Sequence, residues 1–108
     1  MRARPLDVYT ECIYSMDTRF TWSQAKCDSN LAKHGFDFAD VEKVFQGHVL
    51  TAEDARFWYG EKRYITFGLL HQTPVCIVHT AYAEETRIIS FRKATRREAR
   101  IYFEEVAH

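Results

Sequence analysis

Glycine and proline are scarce in this chain, four and two among 108 residues, which excludes a collagen-like, linker-rich or low-complexity molecule. The three cysteines, Cys12, Cys27 and Cys76, are odd in number, widely spaced and form no C-x-x-C pair. A disulfide framework, a zinc knuckle and a thioredoxin-like motif are therefore excluded, and a reducing cytoplasm is the expected compartment. No apolar run approaches the roughly 18 residues of a spanning helix, and no basic start is followed by an apolar block, so neither membrane nor secretion is expected. Neither sign of charge is in excess, with 15 basic and 15 acidic side chains. The glycine-rich phosphate loops and the G-x-S-x-G elbow are missing too, which removes the usual nucleotide-binding and hydrolase classes.

What is present is core material. Hydrophobic residues make up 46% of the chain and aromatics 15%, far beyond what a disordered polymer carries, and the length suits one domain. Residues 1–17 show no helical period and contain Pro5, so they read as an N-terminal extension, with Val8 to Tyr14 a candidate edge strand. Residues 18–108 read as the single domain.

The neutral total hides a polarised distribution. Residues 1–60 hold seven basic and nine acidic side chains, whereas residues 87–100 hold Arg87, Arg92, Lys93, Arg96, Arg97 and Arg100 against Glu98 alone. Such a local patch attracts an anion whatever the overall charge.

Local signals then define the elements. Ser23 is a helix N-cap and Gly35 a left-handed stop, giving a first helix over Ser23 to His34. Asp37 caps a second helix ending at Gly47, with Phe36 and Val41 as a hydrophobic staple and Phe38, Val41, Val44 and Phe45 on the core face. After Gly47 the period falls to two and β-branched residues become dense. Strands are expected at His48 to Glu53, Arg63 to Leu70, Pro74 to Tyr82 and Thr86 to Lys93. A final helix is announced by the Thr95-Arg96-Arg97-Glu98 capping box.

The expected architecture is α+β: two N-terminal helices, a four-stranded antiparallel sheet, five-stranded if the extension joins an edge, and a C-terminal helix. All helices are expected on one sheet face. The odd-numbered Ile65, Phe67, Leu69, Val75, Ile77, Ile89 and Phe91 should pack beneath them. The even-numbered Tyr64, Thr66, Gly68, Cys76, Val78, Thr80, Ser90 and Arg92 should form an open, ligand-facing surface.

Candidate chemistry falls on few residues. His79 on the third strand suits proton transfer near neutral pH. Arg96 and Arg97 flank a helix N-terminus, where free amides already favour an anion. Tyr102 lies two turns along that helix, and Trp58 and Tyr59 are positioned to stack on bases or meet a partner protein. His34, His48, His71 and His108 show no ligand spacing with carboxylates or cysteines, so no metal or cofactor is expected.

Three ordered motifs, N-x-x-K-H-G at Asn30 to Gly35, Y-G-E-x-R at Tyr59 to Arg63, and R-I-I-S-x-R-x-A-T-R-R-E at Arg87 to Glu98, resemble the BrnT family of type II toxins over about residues 20–105. The chain departs from that pattern at Ser23, Ala81 and Phe91. The resemblance implies a RelE-like fold and a metal-independent ribonuclease that arrests translation. It implies neutralisation by a small BrnA-like antitoxin with a ribbon-helix-helix domain, through which alone operator DNA is engaged. Under this resemblance Arg87 and Arg92 clamp the phosphate, His79 carries the proton and Tyr102 orients or donates. Lys33, His34, Arg63, Lys93, Arg96, Arg97 and Arg100 are the expected RNA contacts. The competing expectation is a non-catalytic module of the same fold that only docks a protein partner.

Overall fold

A computed structural model describes residues 10–11, 18–55, 58–80 and 85–106; Cys12, Ala81 and His108 lie outside these. Strands β1 (Thr10–Glu11) and β2 (Arg19–Thr21) precede helix α1 (Gln24–His34), a 3-10 turn (Phe38–Asp40) and helix α2 (Val41–Phe45). Strands β3 (Leu50–Glu53), β4 (Arg63–Leu70), β5 (Thr73–Thr80) and β6 (Glu85–Lys93) follow, then helix α3 (Arg96–Val106).

The local signals act as their chemistry requires. The Ser23 hydroxyl accepts the Lys26 N–H, and Gly35 ends α1 at φ +79°. Asp37 accepts the Ala39 N–H at 2.9 Å, but this cap opens a 3-10 turn, so the second helix is shorter than the expected span to Gly47. In the capping box, Thr95 Oγ1 accepts the Glu98 N–H while Glu98 Oε1 accepts the Thr95 N–H.

The sheet corrects the expectation of an all-antiparallel meander. Among the described residues six strands run in the order β1-β3-β4-β5-β6-β2, and β2 lies parallel to β6, Phe20 beside Thr86. The sheet is mixed because the segment entering α1 returns along the outer edge of the last strand. Thr10–Glu11, within the segment expected to be an extension, pairs with β3 at the opposite edge.

The helices divide between the two sheet faces, against the expectation that all lie on one. The turn between β4 and β5 has two residues, His71 and Gln72, both at positive φ (49° and 73°). A two-residue turn pairs odd positions with even ones, and directly paired residues share a face. Thr66 thus faces with Ile77, and Phe67 with Cys76. On one face Val75, Ile77, Ile88 and Phe91 pack with Phe38, Val41, Val44 and Phe45 from the α1–α2 region. On the other, Phe67, Cys76 and Leu50 surround Tyr102 of α3, with Ile65 and Leu69 beside them. Gly68 lies beneath α2, where an added Cβ would stand 2.6 Å from Val44 Cγ1. Close approach of helix and sheet thus requires glycine there.

Two buried polar residues lock this arrangement. Along the part of β6 beyond β2, Asn30 of α1 stands in for a strand. Its Nδ2 donates to Phe91 O (2.7 Å) and Phe36 O (3.0 Å), and its Oδ1 accepts the Phe91 N–H (3.1 Å). Phe91 stacks on Phe36 with centroids 4.9 Å apart.

Beneath α2, His79 is 0% exposed, edge-on to Phe45. Thr80 O can only accept, so His79 Nδ1 donates to it (2.8 Å) and the neutral ring leaves Nε2 as acceptor. The Thr66 hydroxyl donates to that Nε2 (2.7 Å) and accepts from Thr51 (2.8 Å). Burial lowers the His79 pKa to about 4 against the Thr80 bond, which raises it.

Removing the strand surrogate should be costly. Asn30→Ala should destabilise the fold by about 2–4 kcal/mol by orphaning the Phe91 amide and carbonyl, read as a lower urea midpoint at unchanged m-value. An unchanged midpoint would show that the edge is satisfied without Asn30.

The histidine makes a separate prediction about pH. Because neutral His79 is favoured in the fold, its contribution is present above its ordinary value of 6.5 and is lost as pH falls toward about 4. The loss across that window should be about 3 kcal/mol. Urea titrations at several pH values should show this slope in the parent protein and a flatter one in His79→Gln. Equal slopes would assign the dependence to other groups.

Candidate functional site

The open end of the α3-side face brings together two arginines and a carboxylate. Val78 pairs with Ser90 but His79 pairs with Ile88, so Ile89 is an unpaired bulge residue. A bulge resets strand alternation, and Arg87 thereby joins Ser90 and Arg92 on the α3 side of β6. Continuing the ladder sets Arg87 level with Thr80, whose hydroxyl accepts the Arg87 N–H at 3.0 Å. Arg63, at the start of β4, pairs with the same Thr80. Two arginines from strands on either side of β5 thus share one level and one face.

Between them stands Glu61, on the loop entering β4. Its Oε2 accepts from Arg87 Nη2 at 2.5 Å and lies 3.6 Å from Arg63 Nε. The Arg63 guanidinium covers the Tyr59 ring, 4.0 Å from its centroid. Arg63 Nε is buried yet makes no hydrogen bond, so this cation retains a donor. Arg87 is half-exposed, and Trp58, 76% exposed, precedes Tyr59 on the loop that carries Glu61. The cluster combines a carboxylate, two forked cations and aromatic faces, and its side chains are partly exposed although Arg63 Nε itself is buried.

The other expected site residues lie elsewhere. His79 is on the α1–α2 face, sealed from solvent and not gathered with the arginines. Tyr102 is buried under α3, and its hydroxyl donates to His48 O at 2.8 Å; burial raises its pKa. Arg92 shares Arg87's face, but five residues of strand separate them by about 15 Å, too far for one phosphate. Its guanidinium meets both Glu98 oxygens at 2.8 and 2.9 Å, binding the start of α3 to β6. Burial alone would raise the Glu98 pKa, but the Arg92 bonds and the Thr95 amide outweigh it and hold the carboxyl low.

Lys93, Arg96, Arg97 and Arg100 are exposed around that same junction, at the far end of β6 from Arg87. Lys33 and His34 lie at the end of α1 beside Ile89 and Ser90. The sequence reading named Arg63 and Arg87 but not Glu61, although Glu61 lies within the Y-G-E-x-R motif. What joins Glu61 to Arg87, 26 positions later, is the β-ladder. Among the described residues, no group of three or more His, Cys, Asp or Glu could hold a metal ion, and no helix is long and apolar enough to cross a membrane.

No curated protein matches the chain. A family model described as "Ribonuclease toxin, BrnT, of type II toxin-antitoxin system" matches residues 22–98, a span that includes β4, β5, β6, the Glu61–Arg63–Arg87 cluster and the Arg92–Glu98 pair. The chain belongs to this family of ribonuclease toxins, whose members act on RNA and are paired with an antitoxin.

Proposed function

We propose that the chain is a metal-independent endoribonuclease and that the Glu61–Arg63–Arg87 cluster is its reaction centre. The observation carrying this reading is a carboxylate held between two arginines on an open sheet face. RNA supplies its own nucleophile, so the protein needs a base, an anion clamp and a means of placing the nucleotide.

In this reading the scissile phosphate displaces the Arg87–Glu61 pairing, and both guanidiniums take its non-bridging oxygens in forked hydrogen bonds. The freed Glu61 carboxylate removes the 2′-hydroxyl proton. The 2′-oxygen bonds to phosphorus, the bond to the 5′-oxygen breaks, and the departing oxygen takes a proton from solvent. A 2′,3′-cyclic phosphate and a 5′-hydroxyl end result. The arginines stabilise the additional negative charge as it develops, and Tyr59 and Trp58 supply faces for flanking bases.

His79, Tyr102 and Arg92 are structural under this reading, because their polar atoms are committed inside the fold. A RelE-like lineage, a cytoplasmic location, and a BrnA-like ribbon-helix-helix antitoxin that alone meets operator DNA complete the reading. The antitoxin would occlude the open face, with exposed Trp58 at one end and the basic Arg96–Arg97–Arg100 surface at the far end of β6 as handholds. A non-catalytic docking module is the less economical alternative, since docking alone does not require a carboxylate held between arginines.

Purified protein should cleave RNA in excess EDTA and leave 2′,3′-cyclic phosphate ends, identified by mass spectrometry. Loss of cleavage in chelator that zinc or magnesium restores would sink the metal-independent step.

Substitution separates the roles further. Arg87→Ala and Glu61→Gln should each lower kcat by 100-fold or more, as removal of a charge stabiliser or a general base does. His79→Gln should change stability far more than kcat. A kcat loss in His79→Gln equal to that of Glu61→Gln would move the proton carrier to His79.

A further inference from the structure

A second cationic feature lies where α1 meets the edge of β6. Lys26, Ser29, Lys33 and His34 line one wall of an open groove, and Ile89 and Ser90 line the other. Positions 26, 29, 33 and 34 recur at helical spacing, so these side chains form one stripe along α1. The acidic member of the helix, Asp28, lies off this stripe and accepts a hydrogen bond from Gln24 at 2.9 Å. No carboxylate lines the groove, and among the described residues neither lysine ammonium has an acidic partner.

Lys26 is the informative member. It occupies the first turn of α1, a turn with no acidic residue, where a positive charge opposes the helix dipole. Lys33 and His34, in the last turn, are explained by that dipole, but Lys26 is not. Two ammonium groups with two hydroxyls and no forked donor suit a phosphodiester read as a point charge, without base discrimination.

Ser90 connects this groove to the reaction centre. It lines the groove and also lies on the α3-side face, three positions from Arg87 along the same strand. The rise of β-structure makes that separation about 10 Å. The Ile89 bulge thus both turns Arg87 onto the open face and lines the groove.

We infer that the Lys26–Lys33 groove is a backbone subsite, holding a phosphate of the same single-stranded RNA a few nucleotides from the bond being cut. This rests on the cluster at Glu61, Arg63 and Arg87 being the reaction centre. The subsite sets strand polarity and favours longer substrates, because a di- or trinucleotide in the centre falls short of it.

The test uses binding, so it does not depend on turnover. A fluorescent 2′-O-methyl RNA dodecamer, whose blocked 2′-oxygens prevent cleavage, is titrated into the full chain at several salt concentrations. Lys26→Ala with Lys33→Ala should weaken binding 5- to 20-fold and flatten the log Kd against log salt slope by about 1.4, the value for two lost contacts to a single strand. Each single variant should lose more affinity than Lys43→Ala, an exposed lysine already paired with Asp40. Circular dichroism identifies any variant that has not folded, and Lys26→Gln with Lys33→Gln then replaces it.

Dodecamer affinity and slope equal to those of Lys43→Ala would overturn the subsite, as would loss of antitoxin binding alone, which would give the groove to a protein partner. Arg87→Ala cleavage measured in parallel separates the two failures. An active parent protein with no groove effect removes only the subsite, whereas a groove effect in a protein that never cleaves removes the reaction centre and leaves an RNA-binding groove.

Discussion

Registration of the three long strands is the constraint on which the rest of the molecule depends. The two-residue turn at His71–Gln72 couples odd positions of β4 to even positions of β5, and the unpaired Ile89 shifts β6 by one residue partway along. Without the turn, Phe67 would not share a face with Cys76, and α3 would lose the apolar floor on which Tyr102 sits. Without the bulge, Arg87 would point to the α1–α2 face with its charge toward the core, a burial that requires pairing. One inserted residue therefore separates a buried charge from a usable one.

Asn30 and His79, both polar and buried, are satisfied with economy of parts. Asn30 supplies both a donor and an acceptor to Phe91 because a primary amide presents the same pair as a peptide group. The Thr51–Thr66–His79–Thr80 chain runs across three neighbouring strands and fixes one tautomer of the imidazole. Such chains are stabilising only while every member is satisfied, which makes a neutral His79 part of the native state. The most obvious general base in the sequence is thus spent on the core.

Exposed charge follows a different logic. Arg92 and Glu98 join the sheet to the helix that follows it, with the capping box completing the junction. Arg63 and Arg87, by contrast, converge on one carboxylate near solvent, where ion pairs contribute little stability. Charges held together at small energetic return are available for exchange with a charged ligand. The groove along α1 continues that cationic track at the other side of the Ile89 bulge.

Sequence by itself determined the local events, since each depends on neighbours a few residues apart: the Ser23 cap, the Gly35 stop, the Thr95–Glu98 box, the strands β3 to β6 within a few residues, and the core stripe Phe38–Val41–Val44–Phe45. Its three motifs also identified the family, and they contain both arginines, Arg63 and Arg87, that the sheet brings together. Long-range registration decided the rest. Alternation within a strand is visible in sequence, but its phase relative to the next strand is set by turn length and bulges, which place Ile65 and Phe67 opposite Ile77 rather than beside it. The same phase buried His79, separated Arg92 from Arg87, and carried Glu61 to the arginines, because the side of a sheet on which a residue emerges is a property of the whole ladder.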